Sequence, residues 1–299
     1  MSPRNRVQSV LFLFCLLFPL SVRAQTGPSV LIVTAHPDDE AVFAATVYRI
    51  THALHGTVDL ALMTDGAGGY RFSVLAEELY GKKLTDPEVA AGYLPAIRKQ
   101  ELMAGGRIVG IRKYFFMDQP DLGKVLDQDS ILTYVWDTDR VERRLDRILS
   151  EGSYDFVFTH LPVPQTHAHH KAASILALKA VSRMPADHRP VVLAGTWAQN
   201  PDDPPPAFTV LENHPETRLN KEVGPFDFDR ATKLGLDDRL TYSIVVNWLI
   251  AEHKSQGTMQ NYIANGGLER YWLYALDAGD AAGKANALFR AVREAPVPR

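Results

Sequence analysis

Residues 30–40 read VLIVTAHPDDE, an apolar run that ends abruptly in an imidazole and three carboxylates. The apolar part, residues 30–34, is rich in β-branched side chains and has the length of a buried strand. The proline and acidic residues that follow are typical of the first turn of a helix. The stretch therefore predicts a strand that delivers His36, Asp38 and Asp39 to a helix start. Taken alone, it also fits a simple helix cap, because aspartate is a preferred capping residue.

A second cluster of histidines occurs about 130 residues later, where residues 167–170 read HAHH. It follows another strand-like run, FVFT at residues 156–159. Taken alone, this cluster also fits a solvated turn. Because the carboxyl ends of parallel strands lie at one edge of a sheet, we expect the two clusters to meet there. Imidazole and carboxylate groups are zinc ligands, so the pair of clusters predicts a metal site.

The residues of these clusters are the ones that a hydrolytic zinc site needs. A catalytic zinc takes three protein ligands and keeps one position for water. His36, Asp39 and His170 supply such a set, so we expect one Zn²⁺ per chain, with Fe²⁺ or Co²⁺ as possible replacements. Asp38 is the candidate general base for the water proton, and His167 is the candidate acid for the leaving amine. The sequence therefore predicts a metal-dependent hydrolase.

Strand-like and helix-like segments alternate along the chain. The predicted strands are residues 29–35, 58–63, 113–117, 154–159 and 190–193. The predicted helices are residues 40–54, 96–109, 141–150, 171–182, 240–252 and 281–293. This alternation predicts an α/β fold with a mostly parallel sheet and helices on both faces, in three layers. Residues 71–95 contain two prolines and are predicted to be an inserted excursion, and residues 207–230 to hold one or two edge strands.

The N-terminal residues 1–24 have the pattern of a secretory signal peptide. Two arginines precede an apolar core at residues 10–20, and Val22-Arg23-Ala24 precedes the expected cleavage site. The apolar core is short for a membrane span, although an uncleaved anchor is a competing interpretation. Cleavage removes Cys15, the only cysteine, and three arginines with no acid, so the formal charge moves from −3 to −6.

These properties predict where the mature protein works and what it binds. We expect residues 25–299 to form a single domain with a C-terminal extension beyond about residue 256. We expect it to be secreted or periplasmic in a bacterial envelope, without a stable membrane span after cleavage. No run of lysine and arginine remains in the mature chain, which argues against a nucleic-acid partner. The sequence does not indicate an oligomeric state.

The two clusters together resemble the PIG-L, or LmbE-like, family of zinc-dependent de-N-acetylases. The first family motif is complete as AHPDDE at residues 35–40, and the second corresponds to the His-x-x-His segment at 167–170, preceded by Thr159-His160. Weaker matches occur at residues 98–101, with Gly110 downstream, and at residues 252–256. The resemblance covers most of residues 29–256.

The resemblance implies both a fold and an activity. It implies a Rossmann-like fold and hydrolysis of an acetamide on a small N-acetylated amino sugar or glycoconjugate. It implies zinc on His36, Asp39 and His170, with the base on Asp38 and the acid or oxyanion stabiliser on His167. A metal amidase acting on another acylated small molecule is one alternative, and a non-catalytic, metal-stabilised carbohydrate-binding protein is a second.

Two further residues are candidate substrate contacts. The resemblance suggests that Arg98 binds a substrate hydroxyl or carboxylate, while its alternative is an ion pair with Glu101 on one helix face. Asp121 follows a predicted strand and either hydrogen-bonds sugar hydroxyls or caps its own turn.

One position departs from the family pattern. Many members carry Asp or Asn inside the second motif, where this chain has His169. An aspartate there is expected to orient His167 and hold its proton. A histidine cannot act as that anionic partner, which leaves the protonation of His167 without its usual support.

Overall fold

A seven-stranded sheet forms the middle layer of the computed structural model, which describes residues 27–297 except 205, 265 and 277. Its strands are β1 (Ser29–Thr34), β2 (Thr57–Thr64), β3 (Ile111–Gln119), β4 (Phe156–His160), β5 (Val191–Ala198), β6 (Phe226–Asp229) and β9 (Leu268–Leu273). Two short strands, β7 (Lys233–Gly235) and β8 (Leu240–Thr241), pair separately. The predicted signal peptide at residues 1–24 lies outside the described residues.

The strand order is β3-β2-β1-β4-β5-β9-β6. Strands β1 to β5 are parallel, β9 is antiparallel to β5, and β6 is antiparallel to β9. The predicted mostly parallel sheet is therefore confirmed. The chain runs outward from β1 to β3 and then crosses to β4 on the other side of β1. At such a switch point the loops diverge and leave a crevice at the carboxyl ends of the strands.

Helices cover both faces of the sheet. They are α1 (Ala44–His52), α2 (Ala76–Tyr80), α3 (Pro87–Val109), α4 (Gln128–Ser130), α5 (Thr138–Gly152), α6 (Ala168–Arg183), α7 (Tyr242–Glu252) and α8 (Ala281–Glu294). One apolar core joins the sheet to α1, α3, α7 and α8, and a second joins it to α5 and α6. The three-layer α/β prediction is confirmed. Within the described residues, no helix is both long and apolar enough to cross a membrane.

The predicted excursion at residues 71–95 is instead partly helical. Helix α3 begins at Pro87, where the Asp86 side chain accepts hydrogen bonds from the two backbone amides of Glu88 (2.9 Å) and Val89 (3.3 Å). The helix then continues through Pro95, which the sequence prediction treated as a helix breaker. A proline inside a helix removes the hydrogen bond to the carbonyl four residues earlier. The residue that carries this carbonyl, Ala91, is exposed, so water can bind the freed carbonyl.

Strand β9 was not predicted, although it lies inside the sheet between β5 and β6. All six of its residues are buried. The sequence LERYWL contains two charged residues, which are unusual in a buried strand and therefore hide its sequence signal. Glu269 accepts hydrogen bonds from the amides of Ala45 (2.7 Å) and Thr46 (2.8 Å) and pairs with Arg230 at 3.1 Å. These partners compensate its burial, which would otherwise be costly.

Candidate active site

The crevice at the carboxyl ends of β1 and β4 opens into a cavity of about 560 Å³. The turn after β1 contributes His36, the end of β4 contributes His160, and the start of α6 contributes His167 and His170. Helix α3 adds Arg98 to the same wall. The two clusters that the sequence singled out therefore meet at one edge of the sheet, as expected.

Three of the predicted residues converge closely. Nδ1 of His36 lies 3.1 Å from Nε2 of His170 and 3.6 Å from Oδ2 of Asp39. Nε2 of His170 lies 3.1 Å from Oδ1 of Asp39. One ligand atom from each of the three residues lies within 4.8 Å of the others.

The backbone around β1 fixes the orientation of Asp39. Its Oδ2 accepts hydrogen bonds from Thr34 Oγ1 (2.7 Å), the Ala35 amide (3.1 Å) and the His36 amide (2.7 Å). This leaves Oδ1 free to face His170. Burial alone would raise the pKa of Asp39, but His170 and the neighbouring imidazoles hold that pKa well below its ordinary value. Asp39 is therefore a preorganised carboxylate.

The donor set fits a zinc ion. Two imidazole nitrogens and one carboxylate oxygen are the ligands that a catalytic zinc takes, with one position left for water. The described residues offer a second possible set, His36, His167 and His169. His169 is fully buried, whereas His36, Asp39 and His170 all line the cavity. Only the set with Asp39 keeps all its members open to water and substrate.

Asp38 lies beside this set and is held by Arg98. Nη2 of Arg98 is 3.1 Å from Oδ2 of Asp38. Arg98 is 2 % exposed, and its guanidinium donates to the carbonyl oxygens of Gly66 (2.8 Å) and Pro37 (3.1 Å). Burial raises the pKa of Asp38 above its ordinary value, although the charge of Arg98 opposes that rise. The result is a fixed carboxyl group that is more basic than a surface aspartate.

The alternative ion pair between Arg98 and Glu101 is not formed. Glu101 instead accepts hydrogen bonds from Ser255, at 2.7 Å from its amide and 2.6 Å from its hydroxyl. The adjacent His253 is fully buried, and its Nε2 lies 2.6 Å from Oε1 of Glu40. The weak motif at residues 252–256 thus packs behind the AHPDDE turn and supports it.

Asp121 caps its own turn and also faces the histidines. Its Oδ1 accepts a hydrogen bond from the Gly123 amide at 2.8 Å, which agrees with the capping interpretation. The same oxygen lies 3.6 Å from Nδ1 of His169 and 3.9 Å from Nε2 of His36. Oδ2 lies 3.8 Å from Arg98. Asp121 lines the cavity with a side chain that is 2 % exposed, and it contacts protein groups there.

His169 contacts the proposed ligand His36 and the ring of Trp136. Its Nδ1 lies 3.1 Å from Nε2 of His36, and its ring stacks on Trp136 with 5.6 Å between ring centroids. Nδ1 of His167 is buried without a hydrogen-bond partner in the described residues. The position at which many family members carry Asp or Asn therefore supports the proposed ligand His36 rather than His167.

The pKa values differ strongly among the clustered histidines. Burial, together with the charges of His36 and His170, lowers the pKa of His167 to about 4. Burial likewise lowers the pKa of His160 to about 3. For His36, burial is outweighed by Asp121 and the other nearby carboxylates, and its pKa rises to about 9. A histidine with that pKa is mostly a neutral imidazole at neutral pH.

His160, which the sequence analysis noted only as the residue preceding the second motif, also lines the cavity. Its Nδ1 lies 3.5 Å from Thr34 Oγ1, and its Nε2 lies 4.0 Å from Oδ1 of Asp39. Its ring stacks on that of His170, with 4.6 Å between centroids. The signal was its place directly after the predicted strand at residues 154–159, at the carboxyl end of β4 (Phe156–His160).

Comparisons with known proteins agree with this site and fold. Residues 31–181, just over half of the chain, match the family model "PIG-L: GlcNAc-PI de-N-acetylase". A probable N-acetyl-alpha-D-glucosaminyl L-malate deacetylase 2 from Bacillus cereus is 29% identical over 171 residues, which cover 57% of this chain and 69% of the relative.

Two solved structures match this chain, and the first of them is similar in fold. The zinc-inhibited form of teicoplanin deacetylase Orf2 has a TM-score of 0.53 at 13% identity, covering 83% of this chain and 98% of that chain. The N,N'-diacetylchitobiose deacetylase from Pyrococcus horikoshii has a TM-score of 0.38 at 22% identity, covering 52% of this chain and 50% of that chain. On the extent of the family match and on the motifs that it contains, this chain belongs to the PIG-L family.

Proposed function

We propose that this protein is an exported, zinc-dependent hydrolase that removes an N-acetyl or N-acyl group from an amino sugar or glycoconjugate. The observation that carries the proposal is the convergence of His36, Asp39 and His170 beside Asp38 in the cavity. Family membership supports it, as does the relative whose name describes an N-acetylglucosaminyl malate deacetylase. The export part of the proposal rests on the pattern of residues 1–24.

His36, Asp39 and His170 would hold the zinc ion. A zinc ion bound there would bring the pKa of a bound water close to neutrality and polarise the amide carbonyl. The three ligands need no large rearrangement to reach a common ion, because their donor atoms already converge. The same ligands also suit Fe²⁺ or Co²⁺, since affinity order alone does not decide the metal in a cell.

Asp38 is the proposed general base. A base works best when its pKa approaches the working pH, and burial moves the pKa of Asp38 upward in that direction. Arg98 fixes the carboxylate at 3.1 Å. Asp38 takes the proton of the attacking water and then gives it to the amine nitrogen as the carbon–nitrogen bond breaks. One carboxyl group can therefore carry the proton through the whole reaction.

His167 is the proposed oxyanion donor. A neutral imidazole keeps one N–H, and a donor aimed at the developing oxyanion stabilises it. His167 lines the cavity and its pKa of about 4 makes the neutral form dominant. The alternative, in which a protonated His167 supplies the proton to the amine, requires that pKa to rise by several units when substrate binds.

Two matched variants test the proposal. Acetate release from a panel of N-acetyl sugars and zinc content by elemental analysis are measured for wild type, Asp38→Ala and His170→Ala. We expect both variants to lose turnover, by roughly 10²–10⁴-fold for the base, while only His170→Ala loses zinc. Equal zinc content in wild type and His170→Ala contradicts the ligand set. A larger acid in place of acetate shows that the substrate carries a different acyl group.

A further inference from the structure

The lining of the cavity is divided between charged and apolar side chains. The charged ones, apart from Lys124 at the edge, gather around His36. Among the uncharged lining residues, four large side chains make up what we call the apolar wall, namely Phe72, Trp197, Met259 and Tyr262. Phe72 is 47% exposed and Tyr262 is 43% exposed. Large apolar side chains grouped at the surface of a cavity usually mark a binding surface.

The residues of the apolar wall are held in place by contacts with neighbouring segments. The rings of Trp197 and Tyr262 lie 5.1 Å apart. The segment before Met259 packs against the segment that holds Phe72, because a Cβ on Gly257 would lie only 3.3 Å from the Phe72 carbonyl oxygen. The wall extends outward to Leu75, which is 80% exposed and whose side chain also contacts the Gly257 position.

We propose that the apolar wall binds an aromatic or alkyl group that the substrate carries next to its N-acetyl sugar. This inference rests on the proposed function, because the acyl group must reach Asp38 while the rest of the substrate occupies the remaining cavity. A cavity of about 560 Å³ lies within the range that holds drug-sized ligands. Phe72 and Tyr262 line the same cavity as His36. An occupant that fills the cavity therefore meets both the proposed metal site and the wall, which favours a substrate group over a flat membrane surface.

A series of glycosides measures this contact directly. The dissociation constant and kcat/KM are determined for the methyl, butyl and octyl β-glycosides of N-acetylglucosamine, each below its micelle concentration. Each fully buried methylene should tighten binding by about fourfold. If three of the added methylenes reach the wall, the octyl compound binds about 60-fold more tightly than the methyl compound.

The wall variants are Phe72→Ser and Tyr262→Ser, and Tyr134→Ser is the matched control. Tyr134 is 84% exposed and does not line the cavity. We expect the wall variants to lose most of the increase in affinity from the methyl to the octyl glycoside, while the Tyr134→Ser control keeps the full increase. The melting temperature of each variant verifies that it folds.

The outcomes separate this inference from the proposed function. If wild type binds the methyl, butyl and octyl glycosides equally well and deacetylates the methyl glycoside normally, the apolar-group inference alone is overturned. The same loss in Tyr134→Ser also overturns it. Tight binding of the octyl compound without acetate release supports the wall and contradicts the deacetylase proposal. A flat series combined with vesicle binding that Phe72→Ser abolishes assigns the wall to a lipid surface and overturns the inference.

Discussion

Replacing His169 by alanine should weaken zinc binding, even though His169 is not one of the proposed ligands. His36 presents Nδ1 to His170 and Asp39, and it presents Nε2 to Nδ1 of His169 at 3.1 Å. The group that accepts the far N–H of a metal-binding histidine fixes its tautomer and its ring orientation. The alanine variant removes that acceptor and leaves Asp121, at 3.9 Å from Nε2, as the next available group.

The size of the effect follows from these distances. Loss of an outer partner of a metal ligand typically costs 10- to 100-fold in affinity, or about 1.4–2.7 kcal/mol. We expect the lower part of this range, because Asp121 needs to move by only about 1 Å to reach hydrogen-bond distance. His169→Asn should keep affinity within about threefold of wild type, since its amide oxygen can accept the same hydrogen bond. An asparagine adds no second negative charge beside Asp121.

Competition with a chromophoric chelator at fixed pH gives the zinc dissociation constant of each variant. His188→Ala is the control, because the His188 side chain is 72% exposed and does not line the active-site cavity. The melting temperature of the metal-free variants reports any packing lost against Trp136, which is separate from zinc affinity. The reasoning is refuted if His169→Ala binds zinc as tightly as wild type, or if His169→Asn is no better than His169→Ala.

Two further predictions concern stability. In chelator-treated protein, the melting temperature should peak near pH 6.5, the ordinary histidine pKa. Below it, the unfolded chain binds protons that His160 and His169, both with a pKa of about 3, do not bind when folded. Above it, the stabilising proton on His36 is lost as pH rises through its folded pKa of about 9, so a melting temperature that climbs steadily from pH 6.5 to 9 contradicts the assignment. Gly195→Ala should lower the free energy of unfolding in urea by roughly 1–3 kcal/mol, because its Cβ would lie 2.2 Å from a buried phenylalanine ring. Gly92→Ala, with no atom within 4 Å, should raise that free energy by up to about 1 kcal/mol, and equal effects at the two glycines would refute the packing argument.

The sequence predicts the parallel part of this fold well because its signals are local. Strands β1, β2 and β4 are short apolar runs bounded by polar turns, and each is buried on both faces. Strand β9 has no such signal. Its Glu269 is compensated by Arg230 and by the amides at the start of α1, which are distant along the chain. A single sequence does not show that these groups meet, so the sequence does not predict this strand.

Within the site, residue spacing predicts correctly which groups come together, but it predicts the orientation of their side chains less well. The ligand set could be proposed because two motifs each followed a strand. The sequence shows that His169 replaces the usual Asp or Asn, but it does not show which group His169 contacts. In the structure a ring nitrogen of His169 lies 3.1 Å from His36, and the set of nitrogens offered by His36, His167 and His169 lies within 4.8 Å. The contacts that a side chain makes outside its own turn depend on which residues other helices and strands bring next to it.

Residues 71–95, which the sequence predicts as an irregular excursion, help to position the active site. Arg98 holds the proposed base, and its guanidinium must reach carbonyl oxygens in two separate turns. It can do so because α3 is already helical well before Pro95, with its first turns packed in a small core formed by Ala76, Leu84, Ala90 and Leu94. Tyr80, from the same region, donates a hydrogen bond to Glu101 at 2.7 Å, and Glu101 in turn holds Ser255. Residues 76–94 therefore anchor the start of the helix that positions Arg98, and through Arg98 they contribute to the basicity and the placement of Asp38.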